Sequence, residues 1–142
     1  MLLHKVMRWY SAFAHTFTVM NTANKKTLIL GASANPARYS YLALNRLRNA
    51  GHEVAAIGKK EEMVADVQIY NSPQPFTAIH TITLYLNQQH QQQYYNYIIS
   101  LHPKRIIFNP GAENDDLAKL AEENNIETMQ ACTLVLLATG QY

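Results

Sequence analysis

The residues best suited to chemistry lie in one short loop and in two cations further along the chain. The loop reads Gly31-Ala32-Ser33-Ala34-Asn35-Pro36-Ala37-Arg38-Tyr39-Ser40, and the later segment reads Gly58-Lys59-Lys60. Free backbone N–H groups at the start of a helix bind anions, and phosphate is their usual occupant. We therefore expect the loop to hold a phosphate group, with Arg38 and Lys59 supplying positive charge.

The surrounding pattern predicts that both segments follow strands of one sheet. Residues 27–30 form a short apolar run, which is typical of a strand buried on both faces. Residues 41–49 have apolar positions at helical spacing, and Ser40 is the expected capping residue. A second strand over 53–57 completes a βαβ unit.

The same alternation continues to the end of the chain. We predict strands over 67–70, 105–108 and 126–129, a β-rich segment over 78–86, helices over 87–100 and over 115–124 with Asn114 as cap, and a terminal helix after Cys132. This order predicts an α/β fold: a doubly wound parallel sheet, Rossmann-like and three-layered, in a single domain. Ligands of such sheets bind beyond the carboxyl ends of the strands, which directs attention to loops 31–40, 58–60, 83–86 and 109–112.

Composition and charge exclude several classes of protein. The chain has 142 residues, 48% hydrophobic and 15% charged, which is typical of one folded domain and not of a disordered chain. Four of its 12 basic side chains precede Thr27 and all ten acidic ones follow it, so the remainder carries −2 and lacks the basic excess of a nucleic-acid-binding protein. A single cysteine, Cys132, excludes an internal disulfide and is typical of the reducing cytoplasm.

Residues 1–24 contain no acidic side chain and differ from the rest of the chain. Polar residues such as His15 interrupt the apolar stretch over 11–20, so we expect no membrane helix there. The segment has weak features of a transit or signal peptide. We favour Met20 as the true start, because the polar residues 21–26 lead directly into the first strand. We thus predict an N-terminal extension over 1–24 and a ligand-binding domain over 25–142.

The pattern of glycines and charges favours a phosphorylated adenosine over NAD. Only the first glycine of the dinucleotide fingerprint G-x-G-x-x-G is present, and Pro36 and Ala37 stand near the other two positions. No acidic residue ends the second strand to hold a ribose diol. Lys59 and Lys60 lie there instead, as expected for a site that binds an extra phosphate near the ribose.

These segments together resemble the small coenzyme A-binding proteins related to the CoA-binding domain of succinyl-CoA synthetase alpha subunits. The resemblance covers residues 27–142 and rests on the pattern G-A-S-x-N-P-x-R-x-S over 31–40, on Gly58-Lys59, on Asn109-Pro110-Gly111 and on Cys132 before the last helix. It implies CoA or acyl-CoA as the ligand. The site residues that it and the loop analysis predict are Gly31, Ala32, Ser33, Ala34, Asn35, Pro36, Arg38, Ser40, Gly58, Lys59, Thr83, Leu84, Asn109, Pro110 and Gly111.

The resemblance implies binding and not ligase chemistry. The synthetase subunit carries its phosphorylated histidine in a second domain that has no counterpart in these residues. We therefore expect a non-enzymatic CoA or acyl-CoA binding protein, acting as a carrier, a sensor or a partner subunit, with a homodimer or another protein as partner. A small NADP-dependent reductase is the alternative, although no Tyr/Lys or His/Asp proton relay is visible at a fixed spacing.

Other residues that could do chemistry have simpler structural roles. We expect Cys132 to be an unreactive core residue rather than a thiol that exchanges with CoA. Tyr94, Tyr95 and Tyr97 are expected to pack or to dimerise rather than to stack on bases. The acids over 113–116 lie where they favour a helix dipole, so we predict no metal site and no catalytic residue.

Overall fold

One seven-stranded sheet organises residues 24–142, the part of the chain that the computed structural model describes. Its strands are β1 (Thr27–Ala32), β2 (Val54–Gly58), β3 (Glu62–Val64), β4 (Val67–Tyr70), β5 (Thr81–Leu84), β6 (Arg105–Phe108) and β7 (Glu127–Gln130). The helices are α1 (Tyr39–Asn49), α2 (Gln88–Gln91), α3 (Tyr95–Ser100), α4 (Asp115–Glu123) and α5 (Thr133–Ala138), and a 3₁₀ turn over Gln92–Tyr94 joins α2 to α3. Our predictions for residues 1–23 lie outside this range.

The strand order is β3-β4-β2-β1-β5-β6-β7, which places β1 at the centre between β2 and β5. All neighbouring strands run parallel except β3 and β4, which form an antiparallel pair at one edge. The predicted fold class, a doubly wound α/β sheet in one domain, is confirmed. The carboxyl ends of β1, β2 and β5 therefore meet at one edge of the sheet.

Two hydrophobic cores cover the two faces of the sheet. Leu28 and Leu30 of β1 pack on one face with residues of α3 and α4, while Ile29 packs on the other face with residues of α1 and α5. All three side chains are fully buried. Burying an aliphatic side chain of this size contributes about 1.5–3 kcal/mol, so the alternation along β1 fixes its register.

Most predicted elements are present with small shifts in their bounds. The strands over 67–70 and 105–108 have the predicted bounds, and Asn114 caps α4 by accepting hydrogen bonds from the N–H groups of Asp116 and Leu117 at 3.1 and 3.2 Å. The prediction that Ser40 caps α1 is wrong. The helix begins at Tyr39, its N-cap residue is Arg38 with no side-chain cap, and Ser40 is buried in the first turn.

The amino ends of the strands hold a polar cluster remote from those carboxyl ends. The backbone N–H of Lys25 donates to Nδ1 of His52 at 2.9 Å, and the ring of Tyr142 lies 4.9 Å from the His52 ring. The Arg105 guanidinium lies 4.4 Å above the same tyrosine ring. Burial, and then the charges of Lys25 and Arg105, lower the pKa of His52. The cluster thus favours the neutral imidazole, whose Nδ1 accepts a hydrogen bond.

No helix within residues 24–142 combines the length and the apolar character that crossing a bilayer requires.

Candidate functional site

A cleft of about 910 Å³ opens at the carboxyl ends of β1, β2 and β5. Its floor is the loop that joins β1 to α1, together with residues 58–60 after β2. One wall comes from residues 85–87 after β5 and from the α2 region, and the other comes from Glu62 and Asn71 beside the β3–β4 hairpin. The cleft therefore lies where doubly wound sheets bind their ligands.

The loop after β1 is held in shape by its own polar groups. Oγ of Ser33 accepts a hydrogen bond from the Asn35 N–H at 3.0 Å, and Oδ1 of Asn35 accepts one from the Ala37 N–H at 3.0 Å. The Arg38 N–H donates to the Asn35 carbonyl at 3.0 Å. Short side chains of this kind stabilise tight turns. The chain can therefore turn directly from a buried strand into the 11-residue helix α1, whose N-terminal end faces the cleft.

Two glycines allow the backbone to pack closely at the floor of the cleft. A Cβ atom on Gly31, which has a φ of +93°, would lie 2.5 Å from the carbonyl oxygen of Tyr85. A Cβ atom on Gly58 would lie 2.1 Å from the carbonyl oxygen of Ala32. Both distances are shorter than real Cβ atoms adopt, so any side chain at either position would force neighbouring strand ends apart.

Three cations and one carboxylate line the cleft. The cations are Arg38, Lys59 and Lys60, all of them exposed, and no ion pair found within residues 24–142 involves any of them. The carboxylate is that of Glu62, whose Oε2 accepts a hydrogen bond from the Ala34 N–H at 3.4 Å. Excess positive charge beside a helix N-terminus is suited to a ligand with several phosphate oxygens.

The wall beyond β5 is mainly polar, and its Tyr85 side chain is neutral. The Tyr85 hydroxyl is buried and has no hydrogen-bond partner among residues 24–142, and burial raises its pKa to about 12. It stays protonated at neutral pH and does not repel an anion. Asn87, His90 and Gln93 are exposed on the same wall, where they offer donors and acceptors for the amide groups of a ligand.

The structure brings nine of the fifteen predicted site residues to this cleft: Gly31, Ala32, Ser33, Ala34, Asn35, Arg38, Ser40, Gly58 and Lys59. It does not bring there Pro36, Thr83, Leu84, Asn109, Pro110 and Gly111. Thr83 and Leu84 are fully buried in β5, because a central strand turns both faces toward helices.

Asn109 is buried in a hydrogen-bond network inside the fold. Its Nδ2 donates to Oγ1 of Thr83 at 2.7 Å and to the Leu84 carbonyl at 2.9 Å. Its Oδ1 accepts from the N–H of Thr133, the first residue of α5, at 2.9 Å. All the amide groups of Asn109 are therefore engaged in joining β5, β6 and α5, which is a structural role and not contact with the cleft.

Ten residues that line the cleft were not among the fifteen predicted site residues, although the charge of Lys60 had been noted as suited to a phosphate: Tyr39, Lys60, Glu62, Asn71, Tyr85, Leu86, Asn87, His90, Gln93 and Tyr94. Tyr39, Lys60, Tyr85 and Leu86 lie in loops that the strand pattern had singled out, so the end-of-strand rule alone could have found them. The others lie beside the hairpin or on the segment after β5. No motif marks them.

The residues given simpler roles fit those roles with one difference. Tyr94, Tyr95 and Tyr97 pack against the core, and Tyr94 also lines the cleft. The Glu113 carboxylate accepts a hydrogen bond from the Gly111 N–H at 2.9 Å just before α4. Cys132 is half-buried at the N-cap position of α5 rather than part of the core.

Comparison with known proteins places this fold and cleft in a family. An uncharacterized protein of known crystal structure shares 48% identity with the chain, with a TM-score of 0.82 over 85% of this chain and 100% of that one. A hypothetical protein from Pyrococcus horikoshii OT3 (22% identity, TM-score 0.72, 85% and 87% coverage) and a protein from Thermus thermophilus (14%, 0.75, 90% and 98%) share the fold. No curated protein gives a significant match. A family model described as CoA binding domain matches residues 25–138, a range that contains every residue lining the cleft, and the chain therefore belongs to the CoA binding domain family.

Proposed function

We propose that the cleft binds coenzyme A or an acyl-CoA and that the protein is a non-enzymatic CoA-binding module of the cytoplasm, acting as a carrier, a sensor or a partner subunit. One observation carries the proposal. The loop over 31–40 presents a helix N-terminus to a cleft in which Arg38, Lys59 and Lys60 have no carboxylate ion partner within residues 24–142. CoA carries a diphosphate and a separate 3′-phosphate, so it offers anions to both the loop and the lysines.

The rest of the cleft supports a ligand with a long polar arm. Beyond the diphosphate, the amide groups of a pantetheine chain would pass along the wall formed by Asn87, His90 and Gln93. A cleft of about 910 Å³ is within the range of small-molecule and cofactor sites. We propose residues 25–142 as the ligand-binding unit.

Calorimetric titration with CoA, dephospho-CoA, NADP and NAD at low salt tests the proposal. We expect CoA to bind more tightly than dephospho-CoA, because we propose that Lys59 and Lys60 bind the 3′-phosphate. NADP also carries a phosphate near its ribose, and tighter binding of NADP than of CoA would favour a reductase. The absence of any heat with millimolar CoA would overturn the proposal.

Two substitutions with matched controls locate the ligand. Arg38→Ala and Lys59→Ala should each weaken CoA binding by about 1.5–3 kcal/mol, which is the scale of a hydrogen bond to a charged group. Arg46→Ala and Lys119→Ala remove equally exposed cations outside the cleft and should leave the affinity nearly unchanged. Equal losses in all four variants would indicate a non-specific charge effect, and no loss in any would place the phosphates elsewhere.

A further inference from the structure

The cleft is suited to anions, yet one acidic side chain among residues 24–142, that of Glu62, lines it. Its position is set by the antiparallel edge of the sheet, where Glu62 pairs with Ile69 of β4 and its carbonyl accepts a hydrogen bond from Nε2 of Gln68 at 3.3 Å. This pairing holds the carboxylate beside a loop 28 residues earlier in the chain. A carboxylate held against a phosphate-binding loop calls for a functional explanation.

The contact that Glu62 makes is one that a phosphate ligand would also use. Its Oε2 accepts from the Ala34 N–H at 3.4 Å, and Ala34 lies in the middle of the loop after β1. The carboxylate forms no ion pair found within residues 24–142. The side chain is half-buried, so it is neither free in solvent nor fixed in the core. An anion that binds this loop must therefore displace the carboxylate or accept its repulsion.

Building on the function proposed above, we propose that Glu62 is an internal anion that occupies the loop after β1 in the ligand-free protein and lowers the affinity of that loop for any competing anion. A bare phosphate or pyrophosphate has few contacts with which to offset the loss of the Glu62–Ala34 hydrogen bond. A CoA molecule offsets it with contacts along the whole cleft. The same penalty therefore leaves small inorganic anions weakly bound, whereas CoA keeps enough other contacts to bind.

The size of the effect follows from Coulomb's law. Two unit charges about 4 Å apart in water interact by about 1 kcal/mol, which corresponds to about a fivefold change in affinity. Removing the charge from Glu62 should therefore tighten the binding of pyrophosphate by about fivefold at low salt. The gain for CoA should be similar, because its diphosphate would meet the same carboxylate.

The test compares Glu62→Gln with Glu61→Gln, which removes the same charge from an exposed neighbour that does not line the cleft. Affinities for inorganic pyrophosphate and for CoA are measured by calorimetry for both variants and for the unchanged protein. The backbone amide resonance of Ala34 is followed by NMR as a local readout. We expect it to shift in Glu62→Gln without ligand and to move on addition of pyrophosphate. Glu62→Ser serves as a second variant if the glutamine variant does not fold.

The outcomes separate this inference from the proposed function. Tighter pyrophosphate binding in Glu62→Gln, with a much smaller change in Glu61→Gln, supports the role of Glu62 even where no variant binds CoA, in which case only the proposed ligand is wrong. Unchanged or weaker binding in Glu62→Gln overturns the role of Glu62, even where CoA binds well. An equal gain in both variants, or no pyrophosphate binding by any protein, overturns it too.

Discussion

Gly31 and Gly111 form a matched pair that tests how closely the floor of the cleft is packed. The two residues have nearly the same backbone angle, with φ values of +93° and +90°. A Cβ atom on Gly31 would meet the Tyr85 carbonyl oxygen at 2.5 Å, whereas one on Gly111 would meet nothing within 4 Å. Gly31→Ala and Gly111→Ala therefore share the cost of a positive φ and differ in the steric overlap.

The expected loss of stability can be divided into these two contributions. A non-glycine residue at positive φ costs about 1–3 kcal/mol, partly offset by the lower entropy that alanine gives the unfolded chain, about 0.4–1 kcal/mol. Both contributions cancel between the variants. Overpacking adds about 1–3 kcal/mol at Gly31 alone, because the obstructing atom belongs to the backbone of Tyr85, whose N–H is bonded to Leu30 of β1. Gly31→Ala should thus be less stable than Gly111→Ala by about 1–3 kcal/mol.

Urea unfolding followed by circular dichroism measures the difference, with the slope of the transition checked for equality between the variants. Gly31→Ala should also weaken CoA binding, because the strain falls on residues that line the cleft, while Gly111→Ala should not. Equal unfolding free energies would show that the Tyr85 carbonyl moves aside at little cost. Equal loss of CoA binding would show that Gly111 contacts the ligand after all.

Three further predictions address the burial of Asn109, the neutral state of His52 and the extent of the domain. Asn109→Ala should lower the free energy of unfolding by about 1–3 kcal/mol, because it leaves the buried N–H of Thr133 without its partner. The variant should bind CoA with unchanged affinity at temperatures where it is folded. A loss of affinity without a loss of stability would indicate that Asn109 belongs to the binding site. The lowered pKa of His52 means that the folded state favours the neutral ring, so the stability that His52 contributes is present above its ordinary pKa of 6.5 and declines as the pH falls below it. Urea midpoints between pH 8 and pH 5 should therefore fall less in His52→Asn, and parallel profiles would contradict this assignment. A chain that starts at Met20 should melt and bind CoA like the full chain, and a much lower melting temperature would show that the preceding residues belong to the fold.

The strands and the loop after β1 were predictable because local sequence encodes them. Residues 106–108 form a short apolar run, as a strand buried on both faces requires, and residues 67–70 alternate buried with half-buried side chains. Both strands have the predicted bounds. The loop over 31–40 was identifiable because its turn and its backbone approach require particular small residues. Both the strands and the loop can be recognised from their own residues, whatever the order of the strands in the sheet.

The hairpin that carries Glu62 was not predictable in the same way. β3 has three residues, Glu62–Val64, and so short a segment has no periodicity that would indicate a strand. β3 pairs with β4 through a turn in which Ala65 has a φ of +53°, a conformation that alanine rarely adopts. No glycine in the sequence predicts this turn. Gln93 and Tyr94 were missed for a related reason, since they lie in a 3₁₀ turn over Gln92–Tyr94 that divides the single helix predicted over 87–100.

Asn109 shows why a motif can be located correctly at the end of a strand and still lie outside the cleft. Asn109-Pro110-Gly111 follows β6 as expected, but β5 lies between β6 and β1, so the motif is not next to the loop after β1. There the side-chain amide of Asn109 has its hydrogen-bond partners in β5 and α5. Strand order is a tertiary property that no single segment encodes. The sequence therefore identified the loop over 31–40 and Lys59, but not the lining residues beside β4 and after β5.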